Sequence, residues 1–165
     1  MLRTVIGACL AVASLAGCAT IYPGPRTDAN SKVAVEAWGL QRHGAYPDHK
    51  LLVRVFQGKD IQGTDLGLIR LSPDVLSGEV KLDQGVEYTL WITSIEAHFG
   101  GFTSCGFHIP LTPAKSETYT IKYRTRKADC EVVVARVDQQ GTSARILQGS
   151  NVAGGTQFTA RVTRY

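Results

Sequence analysis

From Lys32 to the end of the chain, short apolar runs alternate with turn clusters, and within most runs the apolar residues fall two apart. A side-chain period of two sends neighbours to opposite faces of a strand, so the pattern predicts strands with one face turned inward. Val33-Ala-Val35-Glu-Ala-Trp38 is the first run. Leu51-Leu-Val53-Arg-Val55-Phe56 is the second, with Leu51, Val53 and Val55 on one face and Arg54 pointing away. Leu66 to Leu71 and Gly78 to Leu82 come next, separated by Ser72-Pro73-Asp74; residues 72 to 77 fit one helical turn. Glu87-Tyr88-Thr-Leu90-Trp-Ile92-Thr is rich in the residues that suit a pleated, half-buried surface. Ser116 to Arg124 and Cys130 to Ala135 flank a turn-length link and predict a hairpin. Arg145 to Gln148 predicts a short edge strand, Gly149 to Thr156 a loop, and Gln157 to Thr163 a closing strand.

After the first 18 residues no segment sustains the three-and-four apolar spacing of a helix. About seven to nine strands separated by turns predict an all-β fold, an antiparallel immunoglobulin-like β-sandwich. The order of landmarks differs from an immunoglobulin domain proper, because Trp91 precedes both Cys105 and Cys130.

The amino-terminal residues change where this fold is expected to reside. Arg3 is followed by an apolar, uncharged run from Thr4 to Ser14 and then by Leu15-Ala16-Gly17-Cys18. A basic start, a short apolar core and small residues before a junction make a secretory signal. The run is too short to cross ~30 Å of hydrocarbon as a helix. The Leu-Ala-Gly-Cys junction resembles the bacterial lipobox, and that resemblance implies cleavage before Cys18, with acyl chains such as palmitate attached there. The domains read accordingly: residues 1–17 as signal peptide, 18–31 as lipidated Cys and flexible tether, and 32–165 as the sandwich. Tyr22-Pro-Gly-Pro25 and the polar residues after it give the tether its extended, turn-rich character.

Loss of residues 1–17 removes Arg3 and no acid, lowering the formal charge from +4 to +3 over 148 residues. So small an excess permits an anionic partner without requiring one, and no motif points to nucleic acid. Of the four cysteines, Cys9 leaves with the signal and Cys18 takes the lipid. Cys105 and Cys130 remain as an even pair in an oxidising compartment and read as one disulfide. A zinc pair is the competing reading, and no Cys-x-x-Cys or His-x-x-x-His spacing accompanies it. No cofactor is called for.

Three stretches are candidates for chemistry or recognition. Glu96, His98 and His108 flank the segment holding Cys105 and would have to converge to hold a metal or carry out catalysis, although no His-x-His pair is present. Gly101-Phe-Thr-Ser104-Cys-Gly106 approaches a nucleophile elbow but misses its spacing, so a serine hydrolase is rejected. Lys122, Arg124, Arg126 and Lys127 form the densest basic cluster, fit either for phosphates and acidic sugars or for a solvated outer face. His98-Phe99-Gly-Gly-Phe102-Thr-Ser-Cys105-Gly-Phe107 reads as a loop whose Phe99, Phe102 and Phe107 are recognition anchors or a satellite core. Finally, Leu82-Asp-Gln-Gly85-Val-Glu-Tyr88-Thr-Leu90 echoes Leu111 to Ile121; turn chemistry with a corner Tyr explains the echo better than a duplicated site.

Taken together, Leu-Ala-Gly-Cys18-Ala, Tyr22-Pro-Gly-Pro-Arg26, Val33-Ala-Val35, Gly85-x-x-Tyr88-x-Leu90 and Cys130-x-Val132-x-Val134 are similar to small outer-membrane lipoproteins of Gram-negative bacteria. The resemblance implies a small β-sandwich and brings no activity or catalytic residue. Ala19, rather than Asp, after the lipidated Cys implies the inner leaflet of the outer membrane, with the domain facing the periplasm. The expected role is a non-enzymatic binding or structural module, held to the membrane through Cys18 and meeting an envelope protein or an anionic glycan. A periplasmic metal-handling protein or enzyme using Glu96, His98 and His108 is the alternative.

Overall fold

The computed structural model describes residues 21–24, 30–42, 49–98, 101–115, 117–126, 129–138, 141–150, 152–153 and 161–164, with the backbone alone at 30, 98, 126, 138, 145–150 and beyond. These residues form strands and turns with no helix, as the period-two pattern requires. The strands are β1 (Asn30–Trp38), β2 (His49–Gln57), β3 (Thr64–Leu71), β4 (Ser77–Asp83), β5 (Tyr88–His98) and β6 (Gly101–Leu111). They continue with β7 (Thr118–Arg126), β8 (Asp129–Asp138), β9 (Gly141–Ser150), β10 (Val152–Ala153) and β11 (Arg161–Arg164).

Two sheets result. One is six-stranded, in the order β11-β9-β8-β7-β1-β4, and the other five-stranded, in the order β10-β6-β5-β2-β3. Val33, Val35, Leu82, Ile121, Tyr123, Val132 and Val134 from the first meet Leu51, Val53, Val55, Leu90, Ile92, Phe107 and Ile109 from the second in one buried core. The alternation read from the sequence sets this: in β2, residues 51, 53 and 55 point in while Arg54 lies outside. β7 and β8 pair antiparallel from Thr118↔Val137 to Arg126↔Asp129, as the hairpin pattern predicts.

Several local expectations are corrected. The sandwich is not wholly antiparallel, because β1 runs parallel to β7 with Lys32 in register with Thr118. Residues 72–77 make no helical turn. Ser72 N–H donates to the Val75 carbonyl at 3.0 Å and Val75 N–H to the Ser72 carbonyl at 2.9 Å, closing a tight turn over Pro73 and Asp74. The stretch 101–107 is no loop but part of β6, paired along its whole length with β5 from His98↔Gly101 to Tyr88↔Leu111. Residues 145–148 belong to β9, which lies inside its sheet between β8 and β11, and residues 149, 150, 152 and 153 are strand as well.

The Cys105–Cys130 disulfide joins β6 to β8 and so ties the two sheets together, with the Cα atoms 6.5 Å apart. Closing a loop of this length stabilises the fold by about 3 kcal/mol in the chain-entropy picture. The two echoing tyrosines sit where the chain crosses between sheets. Tyr88, entering β5 after β4, accepts the Asp83 N–H at 3.3 Å, while Tyr119, entering β7 after β6, donates to Glu117 Oε2 at 2.5 Å. Both act as corner ties, and burial is the main reason that the Tyr119 hydroxyl is pushed up to about 12.

Within the stretch read as a tether, Ile21 pairs in parallel with Leu68 of β3. Tyr22 N–H donates to the Leu68 carbonyl at 3.0 Å, and its hydroxyl donates to the Lys81 carbonyl of β4 at 2.6 Å. Tyr22 therefore spans the seam between the two sheets at their β3 and β4 edges, half-buried, with its hydroxyl pushed up to about 12 chiefly by that burial.

Candidate functional site

One end of the sandwich gathers the chemistry-bearing residues, and period two explains how. Along β5 the inward positions run Leu90, Ile92, Ser94, so the third is polar where the first two are apolar. Ser94 lies opposite Cys105 in register and donates to its carbonyl at 3.4 Å. Tyr123, inward on β7 of the facing sheet, donates to Ser94 Oγ at 2.5 Å. A hydrogen bond thus crosses between the sheets beside the disulfide. Burial pushes the Tyr123 hydroxyl up to about 12, against the opposing pull of its bonds to Ser94 and Thr125, and the Glu96 charge adds to the rise. His49, also buried, faces Glu96 across β2 and β5.

Ser94 and Tyr123 are tied to each other and to a backbone carbonyl. Ser94 hands its proton to a backbone carbonyl, and the neighbouring phenol stays protonated through the physiological range, so neither acts as the general base a serine nucleophile needs. A buried, satisfied pair of hydroxyls fixes the spacing of the two sheets instead. Sequence reading missed Ser94, Tyr123 and His49 as a group. The available signal was a polar residue at the inward position that follows Leu90 and Ile92.

Glu96 and His108 do not meet. His108 stands on the outer face of β6, paired with Trp91, whose ring it meets edge-on with centroids 6.0 Å apart. Burial lowers its pKa and keeps the imidazole neutral. Glu96 lies five residues further along β5 than Trp91 and on the inner face, about 17 Å away at the rise of an antiparallel strand. His98 ends β5 opposite Gly101, and its side chain lies outside the described residues. Among the described residues no three His, Cys, Asp or Glu side chains are grouped to hold a metal ion.

The residues read as partner-binding separate in the same way. Phe107 is core, 2% exposed and inward on β6. Phe102 is outward on the same strand and 45% exposed. Lys122 and Arg124 lie on the outer face of the other sheet, where Lys122 Nζ reaches Glu36 Oε2 at 3.7 Å and Arg124 stands between Trp38 and Glu131 in register. Arg126 closes β7 at the same end. Phe102 and the pair Lys122 and Arg124 therefore share an end of the sandwich but occupy opposite faces. Cys18, Phe99 and Lys127 lie outside the described residues.

At the opposite end an open groove of about 300 Å³ is lined by Lys59, Glu87, Tyr88, Pro110, Leu111 and Thr112. Lys59 and Glu87 pair across it at 3.8 Å.

Comparison with known proteins yields no matching family model, no matching curated protein and no matching solved structure.

Proposed function

We propose that the chain is a lipid-anchored envelope protein, exported by its amino-terminal signal, acylated at Cys18 and held at the periplasmic side of the outer membrane as a non-enzymatic binding or structural module. The observation that carries this reading is the Cys105–Cys130 disulfide, built into the core between the sheets. A bond of that kind belongs to the oxidising envelope and not to the reducing cytoplasm. Immunoglobulin-like organisation is part of the proposal, supported by a disulfide across two sheets and a first strand that pairs with both β4 and β7. The binding role is supported by the disulfide-bearing end, where Phe102 offers an apolar contact on one face and Lys122 and Arg124 offer cationic contacts on the other, on a frame with two inter-sheet ties and with Arg126 at the end of β7. An envelope protein suits the Phe102 face, and an anionic glycan suits the face of Lys122 and Arg124.

The experiment is metabolic labelling with radioactive palmitate, followed by membrane fractionation of the natural chain and of Cys18→Ala. The natural chain is expected to carry label and to sediment with outer membranes, and Cys18→Ala to lose both properties. Label retained on Cys18→Ala, or a natural chain that is soluble and unlabelled, overturns the reading.

A further inference from the structure

Of the seven exposed large apolar side chains among the described residues, four share one side of the sandwich, while Trp38, Phe102 and Val137 lie elsewhere. Ile21, paired to β3, is 78% exposed; Val75 and Leu76, in the turn between β3 and β4, are 53% and 49% exposed; Ile61, in the turn leading into β3, is 36% exposed. All four lie along one side of the sandwich, the side where the edge strand of each sheet, β3 and β4, meets the docked Tyr22. Ile61 marks one corner of that side, Ile21 its middle and Val75 with Leu76 the other corner, over a strand about 26 Å long.

Covalent reach ties this side to the anchor. Ile21 follows Cys18 by three residue steps, with Ala19 and Thr20 between them, and three steps of fully extended chain span at most ~11 Å. Lipid on Cys18 therefore brings the β3–β4 edge to the bilayer surface before any other part of the domain. The charges agree with such a contact. Three acids on this side pair with cations, Asp65 with Arg54 at 3.5 Å, Glu79 with Lys32 at 3.9 Å and Asp74 with Arg42, while Asp60, beside Ile61, accepts the Gln62 N–H and the exposed Arg70 and Lys81 add positive charge on β3 and β4. Matched pairs leave little net negative charge to be repelled by anionic headgroups.

We propose that the β3–β4 edge lies directly on the membrane, with Ile21, Ile61, Val75 and Leu76 seated among the headgroups and the strand axes along the membrane plane. The inference rests on lipidation of Cys18. It specifies a domain lying on its side against the bilayer, where a free tether of 14 residues would let it tumble. Shallow burial of a few aliphatic side chains is weak alone, and the acyl chains make it permanent by keeping the edge at the surface.

The test uses the lipidated full-length mature protein in vesicles of phosphatidylethanolamine and phosphatidylglycerol. Ile61→Cys, Val75→Cys and, as control, Val137→Cys each receive an environment-sensitive fluorophore, and a doxyl lipid labelled near the headgroup serves as quencher. Val137 is 44% exposed on β8, three strands away from the β4 edge. Quenching is expected to be several-fold stronger at 61 and 75 than at 137. Equal quenching at all three, or stronger quenching at 137, overturns the proposal. Intact mass separates the two ways of failing: acyl chains present on Cys18 with positions 61 and 75 unquenched defeat the edge contact alone, while an unmodified Cys18 defeats the anchor and the edge contact together. Shielding of both positions from a soluble thiol reagent in intact envelopes, without quenching in vesicles, assigns the edge to a protein partner and also overturns it.

Discussion

On the outside of the six-stranded sheet the rows hold Lys32, Glu36, Lys122 and Arg124, with Lys122 and Glu36 neighbours in register. The equivalent rows of the five-stranded sheet hold Leu52 beside Thr93, Arg54 beside Trp91, and Phe56 beside Thr89. There Phe56, Thr89 and Thr93 are buried although they point away from the core, and Phe56, Trp91 and His108 adjoin one another, with ring centroids 6.4 Å and 6.0 Å apart. The six-stranded sheet keeps a solvated outer side on which even Trp38 is exposed, while the five-stranded sheet also packs side chains, polar and apolar together, on its outer side. The difference teaches that the outward residues of β5 and β2 contribute packing energy, whereas those of β1 and β7 mostly supply solubility and weak, exposed ion pairs.

The sharpest expected contrast lies within β6. Phe107→Ala removes a ring from between the sheets and should destabilise the fold by about 3–5 kcal/mol, while Phe102→Ala should cost less than about 0.5 kcal/mol. Urea unfolding of the two variants measures this, and equal losses would show that Phe102 also packs as core. Next in size, Trp91→Ala should cost about 1–3 kcal/mol through its half-buried contacts, against less than about 0.5 kcal/mol for Arg124→Ala. If thermal melts of these two coincide, the outer faces are energetically alike and the contrast between the sheets fails.

The smallest effect at neutral pH concerns the tie between the sheets. Tyr123→Phe should cost about 1 kcal/mol by removing the bond to Ser94. Its pH dependence has a definite sign. The ordinary value is 10.0 and burial holds the folded value at about 12, so below pH 10 both folded and unfolded chains keep the proton and the contribution is whole. As pH rises from 10 towards 12 the unfolded chain ionises first and stability falls. Tyr123→Phe should flatten this alkaline loss in a series of melts, with Tyr22 and Tyr119, both also at about 12, supplying what remains. An unchanged alkaline slope in Tyr123→Phe would remove Tyr123 from the account.

Leu51, Val53, Val55, Val80, Leu82 and the β7–β8 hairpin were legible because each alternates apolar with polar residues over a run long enough to show its period. The pairing of Cys105 with Cys130 was legible too, from the count of cysteines and the compartment expected from the amino-terminal residues. β6 was hidden because Gly101, Gly106 and Pro110 all disfavour strands locally; what makes it a strand is its pairing with β5, which no local signal carries. Past Ser104, where the pairing with β10 stops, β5 is the strand that β6 pairs with among the described residues, and Pro110, which has no N–H for a ladder, falls in that part. The turn at 72–75 was misread because Ser-Pro-Asp starts a helix as readily as a turn, and the choice is made by strand partners on either side. Docking of Tyr22 was invisible, since the prolines around it describe an extended chain without saying what it lies against. At the disulfide-bearing end, sequence spacing brought Glu96, His98 and His108 near one another, but strand parity puts Glu96 and His108 on opposite faces.

The parallel seam between β1 and β7 governs the order in which the molecule is built. β1 is the first strand among the described residues, yet it sits between β4 and β7, and while Lys32 meets Lys81 on one side its partner on the other is Thr118. Pairing between such distant segments is slow, because a large loop must close before the contact gives anything back. Until β7 is available, one side of β1 offers unpaired N–H and C=O groups, the kind of open edge on which chains associate with one another. A chain that stops before Thr118 would keep that edge permanently, which makes carboxy-terminal truncation more hazardous here than its distance from β1 in sequence implies. The earliest strand of this protein is among the last to be completed.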